Sequence, residues 1–209
     1  MLHKYKQKAA TLFLSIIALT AWTAIIFQAY LTTGSFGNLF SYFTILTNLL
    51  IAICSTANVV FYKTNKGKFF KSPTVQTAIA LYIFIVALVY NTVLRGLITL
   101  NGWSIFVDTL LHVVVPVLYL LFWAFFVPKG TLLYRQSFRW LVFPFIYLVY
   151  SLVRGSVYHW YPYPFLNVLE NGYQQVFLNA SVLLLVFLIS GLALIKLDKF
   201  LGKYFINKN

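Results

Sequence analysis

Six long apolar runs dominate this chain, and nothing else in it restricts the fold as strongly. A helix needs about 20 mostly apolar residues to cross a bilayer. The runs occupy residues 9–31, 38–62, 75–100, 105–127, 138–153 and 173–195. Composition makes a soluble alternative untenable: 61% of the residues are hydrophobic and only 9% are charged. A soluble domain of 209 residues leaves too much of its surface facing water to hide that much apolar area. The sequence therefore predicts an all-α, polytopic membrane protein, a single six-helix bundle over residues 1–209. The first run follows Lys4, Lys6 and Lys8 and is too long for a cleaved signal, so it reads as a signal-anchor.

The formal charge of +13 would point to nucleic acid in a soluble protein. Here the basic residues cluster between apolar runs, which makes orientation the better explanation, and no nucleic-acid partner is expected. Lysines or arginines fill the N-terminus, the second connection (Lys63, Lys66, Lys68, Lys71), the fourth (Lys129, Arg135, Arg139) and the C-terminus (Lys196, Lys199, Lys203, Lys208). The alternate connections carry none within them. The positive-inside rule then predicts both termini on the cytoplasmic face of a multi-pass protein of the cell membrane. The fifth connection, GSVYHWYPYPFLNVLENG, is rich in aromatics and broken by Pro162 and Pro164. It is expected to cap the outer surface, as an interfacial anchor or a lid.

Polar residues inside apolar spans cost a few kcal/mol each unless paired or wet, so they carry the functional information. They are Thr44, Thr47 and Asn48 in the second span, Asn91 and Arg95 in the third, and Asp108 and His112 in the fourth, with Arg154 and Glu170 at span ends. Through the predicted topology nearly all fall in the outer half, and the inner halves read as almost wholly apolar. Spans three and four form a hairpin turning near Asn101 and Gly102, which sets Arg95 level with Asp108 and Asn91 level with His112. Each pair of neighbours is i, i+4 within its own helix, hence on one face. Thr44 lies about ten residues from the turn near Gly34, roughly 15 Å along the axis and close to the depth of His112. An ion pair between Arg95 and Asp108 is expected, with Arg154 and Glu170 balancing the remaining charge.

A threonine hydroxyl is a poor nucleophile until a base takes its proton. His112, the one histidine inside a span, suits that task. Asp108 could orient it as the carboxylate of a triad does, or be committed to Arg95. Asn48, Asn91 or Arg95 could supply donors for a developing oxyanion. In a membrane helix a threonine hydroxyl most often bonds its own i−4 carbonyl, the structural alternative for Thr44. A metal site is not expected: Asp108, His112, Glu170 and His159 are too few and too poor in histidine for zinc. No cofactor is expected. The lone Cys54 reads as a small buried side chain.

The segments FSYFTILTNLL (residues 40–50), LHVVVP (111–116) and YPYPFLN (161–167) resemble a bacterial six-helix membrane family. More distantly, the chain is similar to the eukaryotic androgen-induced membrane proteins, which hydrolyse fatty acid esters of hydroxy fatty acids. The resemblance covers all six spans in order. It implies a catalytic threonine in an F-x-T stretch, which falls on Thr44 with Thr47 as the competing position, and a histidine before a proline, which falls on His112 ahead of Pro116. The expected activity is a threonine-type carboxylic-ester hydrolase acting on lipid, with a non-enzymatic lipid-binding protein or small transporter as the alternative. The extra polar character of the second span and the doubled YPYP depart from the family pattern.

Overall fold

The computed structural model describes residues 2–62, 64–97 and 99–206 of the chain. All secondary structure among them is helical. Six helices are long and apolar enough to cross a membrane: α1 (Tyr5–Leu31), α2 (Phe43–Val60), α3 (Pro73–Leu94), α4 (Trp103–Phe126), α5 (Arg135–Tyr158) and α6 (Val168–Lys203). Large apolar side chains such as Leu12, Leu19, Phe125, Val149 and Leu185 stay exposed along their outer faces. A soluble bundle would bury such a belt, and a lipid-facing one leaves it outside.

Packing follows from residue size. Ala21 and Ala24 of α1 and Ala52 of α2 are fully buried, and small residues there let two backbones approach closely. The α1–α2 contact is fixed by Trp22 Nε1 donating to Thr56 Oγ1 at 3.1 Å. The α3–α4 hairpin is tied by Trp123 Nε1 to Thr77 Oγ1 (2.8 Å) and by the Tyr119 hydroxyl to Gln76 Oε1 (3.2 Å). An aromatic cluster of Phe43, Tyr82, Phe143, Tyr147 and Phe187 joins α2, α3, α5 and α6. Cys54 is buried.

Several boundaries differ from the sequence expectation. The second span begins at Phe43 because Phe36–Leu39 forms a separate turn, capped by the Ser35 side chain. The third ends at Leu94, where Arg95 takes extended backbone angles ahead of Gly96. The sixth begins earlier, at Val168, bends at Gly172, and runs on to Lys203. Nor does the fifth connection lie flat on the surface. The Tyr161 ring packs directly on Gly155, where even a Cβ would meet it at 2.0 Å, and Pro162, Tyr163 and Leu166 are buried. The connection plugs the end of the bundle.

Lys6, Lys71 and Lys129 line one cavity, so the N-terminus and the second and fourth connections share an end of the bundle. That basic end is not apolar inside, contrary to the sequence expectation. Asn58, Gln76, Thr77, Ser137 and Asp198 are all buried. Asn58 and Gln76 both donate to the Phe70 carbonyl (3.0 and 2.7 Å), which is exposed where Pro73 breaks the chain of helical bonds. Asp198 is 1% exposed and accepts the Gly130 and Leu132 amides at 3.0 and 3.3 Å. Gly130 and Gly202 meet so closely that a Cβ on Gly202 would lie 2.6 Å from Gly130 Cα.

Candidate functional site

Two helices leave α geometry at facing positions. In α3 the turn Tyr90–Leu94 widens to π spacing, and the Arg95 amide reaches back five residues to the Tyr90 carbonyl at 2.8 Å. In α4 the turn Leu110–Val114 does the same, sending the Val115 amide to the Leu110 carbonyl. Such turns push a side chain off its regular face and recur at functional sites. The one in α4 has a visible cause, since Pro116 has no N–H to give. The Leu111 carbonyl then finds neither Val115 nor Pro116 as a donor, and Asn48 Nδ2 reaches it from α2 at 3.3 Å. The His112 carbonyl loses its α-helical partner as well, and Asn91 Nδ2 approaches from α3 at 3.5 Å. The same device recurs in α5, where Pro144 frees the Trp140 carbonyl and the Tyr82 hydroxyl supplies the bond at 2.9 Å.

The widened turn of α4 presents His112. Its Nδ1 lies 2.9 Å from Asp108 Oδ1 and 3.0 Å from the Asp108 carbonyl. Its ring stacks on Tyr90 with centroids 3.6 Å apart and planes 9° from parallel. The Tyr90 hydroxyl faces the Asp108 carboxylate. Side-chain exposure is 13% for His112 and 18% for Asp108, so the pair is sheltered yet within reach of solvent or ligand. A neutral imidazole that donates Nδ1–H to Asp108 keeps Nε2 as its basic atom. Among the described residues, no group hydrogen-bonds that nitrogen.

Thr44 stands in the first turn of α2 and is 8% exposed. Seven other threonines, at 11, 20, 32, 56, 77, 92 and 109, bond the carbonyl four residues back. Thr44 has no helical carbonyl there, because α2 begins only at Phe43. Its hydroxyl instead lies 3.4 Å from the Tyr163 hydroxyl, which also accepts the Thr44 amide at 3.3 Å. Burial holds the Tyr163 phenol above its ordinary range, so it stays protonated and can donate. Thr44 and Tyr163 line a small apolar cavity of about 80 Å³, open at its mouth and walled by Ile85, Tyr90, Leu148 and Phe187.

The remaining candidates divide. Asn48 is fully buried and bonds the carbonyls of Thr44 and Leu111. Asn91 bonds the carbonyls of Ala87 and His112, at the register the hairpin predicted. Both asparagines therefore spend their donors on backbone rather than on an oxyanion. Among the described residues the expected Arg95–Asp108 ion pair is absent. Arg95 sits where α3 unwinds, its guanidinium donates to Asn91 Oδ1 at 2.9 Å, and Asp108 turns to His112. Arg154 reaches Asn38 Oδ1 at 2.6 Å and lies over the Tyr158 and Trp160 rings, while Glu170 is exposed. The balanced four-charge network is thus not formed. Thr47 is fully buried and its hydroxyl has no hydrogen-bond partner. His112, Asp108, Asn91 and Arg95 do not border the cavity that Thr44 lines; Tyr90, stacked on His112, is the wall between them. Among the described residues, no three His, Cys, Asp or Glu side chains gather as metal ligands.

Sequence scanning passed over Tyr90 and Tyr163 because each is one more tyrosine in a chain with 15 of them. Nor did standing next to Asn91 mark Tyr90, since adjacent residues of a regular helix point to different faces. Tyr163 had only the break at Pro162 and Pro164 to mark a chain turning inward. No protein-family model, curated protein or solved structure matches this chain.

Proposed function

We propose that the chain is an intramembrane hydrolase of lipid acyl esters, with Thr44 as nucleophile, His112 as general base and Asp108 orienting the imidazole. One observation carries this reading: the Asp108-bonded His112, its Nε2 unclaimed, abuts through Tyr90 an apolar cavity with Thr44 in its wall. The resemblance of residues 40–50 and 111–116 to the androgen-induced hydrolases supports the same pair. Substrates such as fatty acid esters of hydroxy fatty acids would lay an acyl chain among Ile85, Leu148 and Phe187.

The Tyr90 ring turns off His112 to open the path between base and cavity. Thr44 Oγ1 attacks the ester carbonyl carbon as its proton passes to His112 Nε2. The Tyr163 hydroxyl, already accepting the Thr44 amide, donates to the oxyanion. The intermediate collapses, the alcohol departs with the proton held by His112, and a threonyl ester remains. His112 then deprotonates water, which attacks that ester and releases the acid. The positive-inside rule places the basic end in the cytoplasm and this site toward the outer leaflet of the cell membrane.

An alkyl fluorophosphonate should label the purified protein, and Thr44→Ala or His112→Ala should abolish labelling while the variants stay monodisperse. Labelling that survives both changes would sink the mechanism. Loss only in Thr47→Ala would move the nucleophile one turn along α2. A second reading, a lipid-binding protein without catalysis, is favoured by one contact: the Thr44 hydroxyl pairs with Tyr163 rather than His112. Co-purified lipid combined with no turnover of any ester would select it.

A further inference from the structure

The second cavity, at the basic end, plays no part in that chemistry. It has a volume of about 580 Å³, and three lysines from three separate elements border it. Lys6 comes from the start of α1, Lys71 from the end of the helix Asn65–Lys71, and Lys129 from the α4–α5 connection. Among the described residues, no carboxylate lines the space. The nearby acid, Asp198, spends one oxygen on the Gly130 and Leu132 amides. Two of the cations are held in position rather than left to wander. Lys71 donates to the Tyr62 carbonyl with its ammonium 3.6 Å from that ring's centre, and Lys129 does the same at Trp123 with 3.8 Å. Each ammonium keeps further N–H groups to offer.

Like charges brought together repel, and an anion between them converts that cost into binding. Burial brings Lys129 down to about 8; the Asp198 carboxylate pulls it the other way, and the Lys6 charge adds a smaller push downward. Deeper in, the cavity walls are Leu14, Phe122 and Phe126, with Asn58 and Gln76 as polar groups beside them. A basic rim above apolar walls suits a phosphate that carries a hydrocarbon tail better than a free phosphate. We infer that this cavity binds the phosphate headgroup of an anionic phospholipid, with Lys6, Lys71 and Lys129 around the phosphate and acyl chain against Leu14, Phe122 and Phe126. The site is separate from Thr44 and His112, and it stands whether or not the chain is a hydrolase.

The test uses the full chain in neutral detergent, with melting temperature followed against added lipid. Phosphatidylglycerol should raise it saturably, whereas phosphatidylcholine and inorganic phosphate should not. Lys6→Gln with Lys71→Gln should raise the half-saturating concentration about 25-fold, at roughly fivefold per lysine. Lys199→Gln with Lys203→Gln, at the same end but outside the cavity, should leave it unchanged. Ala10→Phe keeps every charge but fills the space that Ala10 borders, so it should weaken binding without altering surface potential. Equal losses in the two double variants, or wild-type binding by Ala10→Phe, would reduce the effect to surface electrostatics and overturn the site. A full shift from inorganic phosphate alone would overturn the lipid as ligand.

Discussion

At the basic end, Asn58, Gln76 and Asp198 bond backbone groups of the connections around a cavity rimmed by lysines. At the other end, Asn48 and Asn91 bond backbone groups inside helices that Pro116 and two widened turns have broken. Once those repairs are subtracted, His112 and Asp108, and Thr44 and Tyr163, still pair side chain to side chain in addition to their backbone bonds. Burial alone therefore does not mark a functional polar group in this bundle. What sets the candidate site apart is a titratable pair, His112 and Asp108, beside an apolar cavity, where the other side-chain pairs such as Trp123 and Thr77 only tie helices together.

Tyr163 should separate the ends most sharply. It is 9% exposed, stacks on Phe165 with ring centres 5.2 Å apart, and meets Tyr42 edge-on. Tyr163→Ala should cost about 3–5 kcal/mol in denaturant titration, as large aromatic truncations do. Tyr163→Phe keeps the packing and should leave stability within about 1 kcal/mol, while turnover falls with loss of the oxyanion donor. A Tyr163→Phe protein with full activity would leave the hydroxyl only a packing partner for Thr44. The matching change at the basic end is Asp198→Ala, which strands two amides and should cost about 2–3 kcal/mol, with Asp198→Asn losing roughly half as much. Fluorophosphonate labelling of surviving Asp198→Asn protein should match wild type, because nothing at the far end depends on that carboxylate.

Much of this arrangement was legible in the sequence. The apolar runs gave six helices, and counting from Asn101 set Asn91 level with His112, where the Asn91 amide does reach the His112 carbonyl. The same counting failed for Arg95 and Asp108, because it assumed an unbroken α3. Extended angles at Arg95 carry that side chain off the helical face, and a widened turn adds a residue to the register. Asp198 escaped notice because the sixth run was ended at residue 195, which placed that carboxylate in a solvated tail. It is instead a buried acceptor for the α4–α5 connection, 66 to 68 residues earlier in the chain. A scan for polarity inside apolar runs finds costly groups. It does not say which backbone carbonyls a proline four residues later has left without a donor.

The pH dependence of stability should sharpen the contrast in another way. Lys129 titrates near 8 in the folded chain against 10.5 for a free lysine, lowered first by burial and then by Lys6, with Asp198 acting the other way. Below pH 8 both states hold the proton and the folded one bears the strain. Between pH 8 and about 10.5 the unfolded state binds more protons, so stability should rise with pH across that window. Melting temperatures in lipid-free detergent should show the rise, and Lys129→Met should flatten it. Saturating phosphatidylglycerol should flatten it too, since a phosphate beside Lys129 restores its charge. A rise unchanged in Lys129→Met would assign the effect to another group.

The smallest effect tests the repair of α4 itself. Pro116 denies its amide to the His112 carbonyl, and Asn91 approaches that oxygen at 3.5 Å. If Asn91 is there to compensate for the proline, its value should depend on the proline being present. Asn91→Leu alone should cost about 1 kcal/mol, in line with side-chain hydrogen bonds between membrane helices. In a Pro116→Ala background the amide returns, the helix can close its own bond, and the same Asn91→Leu change should cost near zero. The coupling, about 0.6 kcal/mol or more, is what the four-protein cycle reads. Equal costs in both backgrounds would show that Asn91 answers to Arg95, whose guanidinium it accepts at 2.9 Å, rather than to the broken helix. Fluorophosphonate labelling of the Pro116→Ala protein adds a second readout, because closing the widened turn would rotate His112 away from Asp108 and Tyr90. Labelling should then drop while stability holds or improves, the pattern expected where a helix defect is kept for the side chain it presents.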